Sequence, residues 1–581
     1  MLKKLFSLLV CLTVSMLPNF VMAENEGKIA LVMKALSNPF FLSMQQGAKE
    51  YADTHGIALE VFGTERETEV ERQIGIVDNL ISRGYGAIVI APADSQKLLP
   101  VCQKALEKGI FVVNIDNPFH KQTLQEHNLT IPFVGSDNRA GAALVGSYIK
   151  QKLDNAGSVV VIEGIRGVEN AELRKQGFVE SVTSDSQIEI VASETANWHT
   201  DEAFSVMMEL LPQHEQIDAV FCANDNMALG VIQALDMAGL TGNVWVAAYD
   251  NIEEARTEMR NQRMHATIEQ HPELMGAYGV ELAARALAGQ EIPEYTATPL
   301  NLITHEGFDK RIGLSLSHAA NSFFASLQNG AQKAADLFGI QLIVQDAAND
   351  DAKQLIDLQT FIQDNVDVLL VNPTNAETVS LAIEIAASVG IPTITVDRKS
   401  SRDDLVISHV ASDNVAGGRM AGEFIAAQLQ GRGKVLELEG IPGTSAAHDR
   451  GQGFHEAVSR HAEIEIAARE IADFDRAKAR DITQFLVEKG LVVDAVFAHN
   501  DGMILGALDA FESSQAQTPA LLVGFDAISE AVEAVKEQRL TATIAQKPEK
   551  MGWQAVQTAV RALRGEELPP MILVDLELIT K

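Results

Sequence analysis

Asn321, Phe323, Phe324, Asp397, Arg398, Arg450, Phe474, Asn500, Asp526 and Gln546 place three aromatic rings, two carboxylates, two guanidiniums and three amides in the second half of the sequence. The first half carries a parallel set in the same order: Lys34, Asn38, Phe40, Phe41, Asp116, Asn117, Arg174, Trp198, Asn224, Asp250 and Gln270. Planar carboxylate, amide and guanidinium groups take neighbouring hydroxyls in pairs, and aromatic rings cover apolar C–H faces. Such a set suits a neutral polyol. Acids and cations that pair with each other leave little net charge for an ionic ligand, which argues against phosphates and amino acids.

Other chemistries lack their residues. The 14 histidines form no H-E-x-x-H, and no C-x-x-C is present, so no metal site is expected. Neither a Walker loop nor a G-x-G-x-x-G follows a strand-like run, and no cofactor is expected. Gly443-Thr444-Ser445-Ala446-Ala447 lacks the second glycine of a nucleophile elbow. A glycosidase using Asp397 and Asp526 as acid and base is disfavoured, because guanidinium neighbours are expected to depress both pKa values rather than raise one. The chain therefore reads as a binder, not an enzyme.

The two sets are copies. Asn38 returns as Asn321 at an offset of 283 residues and Asp116 as Asp397 at 281, while Ser136-Asp137-Asn138, Arg174, Trp198, Asn224, Asp250 and Gln270 return at 276 as Ser412-Asp413-Asn414, Arg450, Phe474, Asn500, Asp526 and Gln546. A period this long marks duplication of a whole domain, not a solenoid. A Phe-Phe pair alone reads as helix core, and a lone Asp after a strand as a helix cap, the role left to Asp413 and Asn414. Recurrence of the set in both copies favours the binding reading.

The elements that must position these residues alternate between strand and helix. Near-continuous apolar runs at Ile29 to Met33, Ala58 to Phe62, Ala87 to Ala91 and Phe111 to Ile115 predict parallel strands buried on both faces. Phe41, Met44, Ala48 and Ala52 mark one helical face between the first two, and Phe324, Leu327, Ala331 and Ala335 repeat it. Further runs at Val159 to Ile162, Ile188 to Ala192, Ala219 to Ala223 and Val244 to Ala248 predict a second set of strands. Each copy is thus expected to be α/β, with two doubly wound parallel-sheet lobes and a hinge, and ligand groups at the strand ends facing a cleft. Four lobes agree with 581 residues at roughly 150 per compact unit.

Composition and the N-terminus bound the setting. A net charge of -33 repels phosphate backbones, so nucleic acid is not an expected partner. Lys3 and Lys4, the apolar run Leu5 to Leu17 and Val21-Met22-Ala23 read as a signal peptide over residues 1–23, which predicts export to the periplasm. Cys102 and Cys222 read as small buried hydrophobes. The expected division is 24–305 for the first domain, 306–310 for a linker and 311–581 for the second.

With these residues in place, the sequence resembles the periplasmic sugar-binding proteins of the ribose-binding type, which serve bacterial ABC importers. The resemblance covers nearly the whole chain after the leader, twice, as tandem type I periplasmic-binding-protein folds. The second copy is similar to the ribose-binding branch through Asn321-Ser322-Phe323-Phe324, Val396-Asp397-Arg398, residues 409–414 (HVASDN), residues 443–450 (GTSAAHDR) and Ala472-Asp473-Phe474-Asp475-Arg476, with Ser322 in place of the usual Pro. The first is similar to the allose-binding branch through residues 34–41 (KALSNPFF), Asn197-Trp198 and Cys222-Ala223-Asn224-Asp225. Asn117 departs, standing where the ribose branch has Arg and the allose branch Glu, and Lys34 stands where the second copy has Ser317. The resemblance implies a monomer that binds monosaccharides, a different one in each copy, and that hands them to a membrane ABC permease or signals occupancy to a chemoreceptor.

Overall fold

The computed structural model describes residues 27–514 and 518–581; the expected signal peptide lies outside them. The chain divides between His305 and Glu306 into two units. Residues 306–310, expected as a linker, overlap the 3-10 turn His305–Asp309 and lead directly into the strand Arg311–Leu316. Among the described residues no helix is long and apolar enough to cross a membrane.

Each unit holds two six-stranded sheets. In the first unit, one sheet runs in the order Tyr295–Ala297, Phe133–Gly135, Phe111–Ile115, Ala87–Ile90, Ile29–Met33, Leu59–Gly63, all parallel. Its partner runs Asn301–Thr304, Ala266–Glu269, Trp245–Ala247, Ala219–Cys222, Ala156–Glu163, Gln187–Thr195, with only the edge strand Asn301–Thr304 antiparallel. The second unit repeats both orders, ending on the antiparallel strand Glu577–Thr580. The central strands Ile29–Met33 and Ala87–Ile90 are apolar throughout because helices cover both faces, and every residue of both is buried.

The amphipathic stripe on the first helix faces this core. Helix Pro39–His55 buries Phe41, Met44, Ala48 and Ala52, and helix Ser322–Phe338 buries Phe324, Leu327, Ala331 and Ala335. Both are capped alike. Asn38 Oδ1 accepts from the Phe40 N–H at 3.0 Å and Asn321 Oδ1 from the Phe323 N–H at 2.9 Å, satisfying a donor that the helix itself leaves unpaired. Cys102 and Cys222 are buried and unpaired as free thiols, and burial pushes the Cys102 thiol up to about 12.

The chain passes between lobes three times per unit. In the first unit the passages follow the strands Phe133–Gly135, Ala266–Glu269 and Tyr295–Ala297, whose next elements belong to the other lobe. Three neighbouring connections of this kind form a hinge between the lobes.

Candidate functional site

Strand ends from both lobes of each unit converge on an enclosed cavity. In the first unit Lys34, Asn38, Phe40, Phe41, Glu67, Asp116, Asn170, Arg174, Trp198, Asn224 and Asp250 line it. In the second, Asn321, Phe323, Phe324, Asp397, Arg398, Ala446, Arg450, Phe474, Asn500, Asp526 and Gln546 do so. Nearly every sequence-predicted residue is therefore at the wall and buried.

The backbone is strained at the same places in both copies. Asp116 and Asp397 hold φ of 63°, Trp198 and Phe474 hold 71° and 58°, and Asp250 and Asp526 hold 117° and 113°. Non-glycine residues held at positive φ concentrate where function fixes a side chain's direction. The aromatic ring that follows each second-lobe strand lies directly on a glycine: an added Cβ at Gly164 would sit 2.3 Å from the Trp198 ring, and one at Gly440 would sit 2.1 Å from the Phe474 ring. Only glycine leaves room for those rings.

Arg174 and Arg450 are held identically. Arg174 Nε donates to Asn138 Oδ1 at 2.7 Å and Nη1 donates to the Ala223 carbonyl at 2.8 Å, 3.3 Å from Asp250 Oδ1, with the guanidinium 3.9 Å from the Tyr249 ring centre. Arg450 bonds Asn414 and the His499 carbonyl, lies 3.5 Å from Asp526 Oδ1 and stacks at 3.9 Å on Phe525. Behind the acids, Gln270 Nε2 donates to Asp250 at 2.7 Å and Gln546 Nε2 to Asp526 at 2.6 Å. Both polar atoms of Gln270 are engaged, its oxygen accepting from Ser136, and it stands behind the wall.

The guanidiniums do not depress these acids, contrary to the expectation from sequence. Burial pushes Asp250 up to about 7 against the pull of Arg174, and Asp526 up to about 6 against that of Arg450. Asp397 is also raised by burial despite Arg398 and Arg450. Desolvation of a fully enclosed carboxylate outweighs a single long ion pair. The pKa argument against an acid–base pair falls with it.

The sharpest difference between the sites is the origin of one cation. In the second unit Arg398 lies 5.4 Å from the Phe324 ring centre and 5.6 Å from that of Phe474. In the first, the Lys34 ammonium lies 5.5 Å from Phe41 and 5.8 Å from Trp198, the equivalent pair. The positive charge has moved from one strand end to another. Asn117, at the Arg398 position, has left the wall: its Nδ2 donates to the Pro92 carbonyl, while its Oδ1 accepts from Ser95 and, across the cleft, from the Asn170 N–H at 3.2 Å. Asn117 is thus a lobe-to-lobe contact, which corrects its placement among groups facing the ligand. A second such contact runs from the Glu169 N–H to Ser95 Oγ, and in the second unit the Lys399 N–H donates to Ser445 Oγ.

Glu67 and Asn170 escaped the sequence reading. Lys34 Nζ sits 3.1 Å from Asp116 and 3.3 Å from Glu67. Burial works against this ammonium, but the two carboxylates outweigh it and raise its pKa. Glu67 lies in the stretch where the offset between copies falls from 283 to 281, two extra residues in the first copy between Lys34 and Gln73, the counterpart of Gln354. That local insertion was the available signal. Asn170 corresponds to Ala446, a difference that only the fold shows to face the cavity.

Several buried polar atoms at the walls have no hydrogen-bond partner among the described residues: Trp198 Nε1 and Asn170 Oδ1 in the first site, Asp397 Oδ1, Arg398 Nε and Gln546 Oε1 in the second. Donors and acceptors lie side by side. Such atoms are costly to bury unpaired, and a ring of hydroxyls satisfies both kinds.

Comparison with known proteins agrees with the duplication. The family described as periplasmic binding protein domain matches residues 29–291 and again 312–567. The ribose import binding protein of Haemophilus influenzae is 45% identical over 270 residues, 46% of this chain and 91% of that protein. The D-ribose/D-allose-binding protein of Pseudomonas aeruginosa is 41% identical over 284 residues, 48% of this chain and 88% of the relative. An ABC transporter periplasmic solute binding protein from Actinobacillus succinogenes, solved with bound D-allose, is 36% identical, with 48% of this chain and 98% of that chain covered and a TM-score of 0.47.

Proposed function

The chain belongs to the periplasmic binding protein domain family, and on that premise we propose that it is the solute-binding component of an ABC sugar importer with two monosaccharide sites. The observation that carries this is the wall itself: in each unit, Asn, paired Phe, Asp, Arg, Asn and Asp from both lobes surround a cavity with unpaired donors and acceptors. The relatives that it matches are named for ribose and allose binding, and this supports the same substrate class here. The second site, with Arg398 and Arg450, is ribose-like. The first, with Lys34, Glu67 and Asn170, takes a different aldose or polyol.

Binding works by lobe closure. Residues from the two lobes touch one sugar only when the lobes rotate together about the three crossings, which traps the ligand and presents a changed surface to the membrane permease. The protein acts in the periplasm after removal of residues 1–23. It turns nothing over; an assay on glycosides checks this. Calorimetric titration with pentoses and hexoses tests the main reading. Saturable heat with at least one aldose is expected, and no heat with any aldose overturns it.

A further inference from the structure

Helix Glu169–Thr183 carries two wall residues of the first site, Asn170 and, one turn on, Arg174. A helix leaves its first N–H groups unpaired, and a Ser, Thr, Asp or Asn at the N-cap usually takes one of them. Here the N-cap residue is Val168, whose side chain has no acceptor. The acceptors come from the other lobe. Ser95 Oγ takes the Glu169 N–H at 3.0 Å, and Asn117 Oδ1 takes the Asn170 N–H at 3.2 Å.

Both acceptors are fixed within their own lobe. Ser95 Oγ donates its one proton to Asn117 Oδ1 at 3.2 Å, which leaves its lone pairs for Glu169. Asn117 Nδ2 donates to the Pro92 carbonyl at 2.9 Å, which turns Oδ1 toward the helix, and Asn114 Nδ2 holds the Asn117 carbonyl at 2.9 Å. Ser95, Asn117 and Asn170 are all buried. The second unit is built differently. Ala376 stands at the Ser95 position and Arg398, in the cavity wall, at that of Asn117, so neither acceptor exists. Helix Ser445–Val458 has a cap of its own instead, Thr444 Oγ1, which accepts from the Ala447 N–H at 3.4 Å. The bond from the Lys399 N–H to Ser445 Oγ crosses the cleft there without using a helix N–H.

We propose that Ser95 and Asn117 are positioning residues that latch the first unit: they cap helix Glu169–Thr183 across the cleft, so that closing the lobes completes the helix and holds Asn170 and Arg174 at the sugar. The role of Asn170 and Arg174 rests on the sugar-binding reading, whereas the latch belongs to the chain without ligand. Opening breaks both bonds together and hands the two N–H groups to water. The closed form of the first unit is therefore favoured before sugar enters, and apparent affinity rises with the fraction of molecules already in the binding form. The position that supplies a cation to the wall in the second copy supplies a helix cap in the first, so the change that took Asn117 out of the wall also altered the closing equilibrium.

The test is amide hydrogen exchange in sugar-free full-length protein, read at single residues by mass spectrometry with fragmentation. The Glu169 and Asn170 amides of wild type are expected to exchange at least about fivefold more slowly than those of Ser95→Ala and Asn117→Ala. Ser95→Thr, which keeps the hydroxyl, should restore the protection. Equal exchange within the buried strand Ile29–Met33 in all four proteins shows the first unit folded, and unchanged Ser445 and Ala446 amides show the effect confined to it. With D-allose and D-ribose as probes in an Arg450→Ala background, sugar release from the first site should be at least about fivefold faster in Ser95→Ala. Equal exchange at Glu169 and Asn170 in wild type and both alanine variants overturns the proposal. Failure of Ser95→Thr to restore what Ser95→Ala loses also overturns it, by making Ser95 a packing residue. If neither sugar binds, the sugar reading of this site is what fails, and the exchange result still decides the latch.

Discussion

Arg450 shows how far a single residue can be read from its type and position. Its guanidinium is fixed by Asn414, the His499 carbonyl and the Phe525 face before any ligand arrives. Hydrogen bonds to charged groups contribute roughly 1.5 to 3 kcal/mol each, so Arg450→Ala is expected to lose at least about a hundredfold in sugar affinity at the second site. Circular dichroism should show the fold intact, and binding within a few-fold of wild type would make the residue structural. Lys34 makes a different case, because its partners include a residue that sequence reasoning missed. Lys34→Ser leaves Asp116 and Glu67 facing each other in a buried wall, and loss of one partner of a buried pair costs about 3 to 5 kcal/mol. Removing the second acid as well should relieve part of this: Lys34→Ser with Glu67→Ala is expected to be at least about 1 kcal/mol more stable in urea than Lys34→Ser alone. Additive losses would mean that Glu67 does not share the ammonium. The acids themselves were the least legible residues. Their neighbours could be named from sequence, but whether burial or charge wins depends on how completely the lobes enclose them.

At the scale of elements, apolar runs gave the strands and the i, i+3, i+7 stripe gave the helices, because a sheet covered on both faces and a helix covered on one leave unmistakable patterns. What stayed hidden is what has no pattern. The three-residue strand Tyr295–Ala297 is mostly exposed and too short to show a period, and the left-handed turns at Asp116 and Asp250 leave no compositional trace. The strand Val406–Ser412 carries a testable consequence of its burial. His409 bonds Thr395 at 2.9 Å inside the sheet layer, and burial, reinforced by the Lys399 charge, lowers its pKa to about 4. In the unfolded chain it titrates near about 6.5. Between those values the unfolded state binds the extra proton, so this contribution to stability is complete above about pH 6.5 and is lost as pH falls toward about 4. The loss is on the order of 3 kcal/mol. Urea unfolding between pH 7 and pH 4.5 should therefore show a shallower decline for His409→Gln than for wild type in the transition of the second unit. Parallel declines would mean that the ring charges inside the fold.

The whole molecule turns on whether the duplication keeps two working sites or one. The shared set Asn38/Asn321, Phe41/Phe324, Asp116/Asp397, Arg174/Arg450, Asn224/Asn500 and Asp250/Asp526 lines both cavities, so neither wall has lost its polar groups. The differences are concentrated: Lys34 for Arg398 as the cation over the aromatic pair, Asn170 for Ala446, Trp198 for Phe474, and Glu67 gained by insertion. A wall built to pair one pattern of hydroxyls leaves buried groups unpaired against another, which separates substrates more strongly than fit alone. Residues 311–581, expressed alone, have their own core and are expected to bind ribose. Full-length protein titrated with a sugar panel is expected to bind two molecules per chain, with Arg450→Ala removing the ribose-type isotherm and Arg174→Ala the other. One sugar filling both sites with equal affinity would contradict the divergence. A stoichiometry of one that Arg174→Ala leaves unchanged would make the first unit a spacer or docking surface, in spite of a cavity whose cation, carboxylates and aromatic faces remain in place.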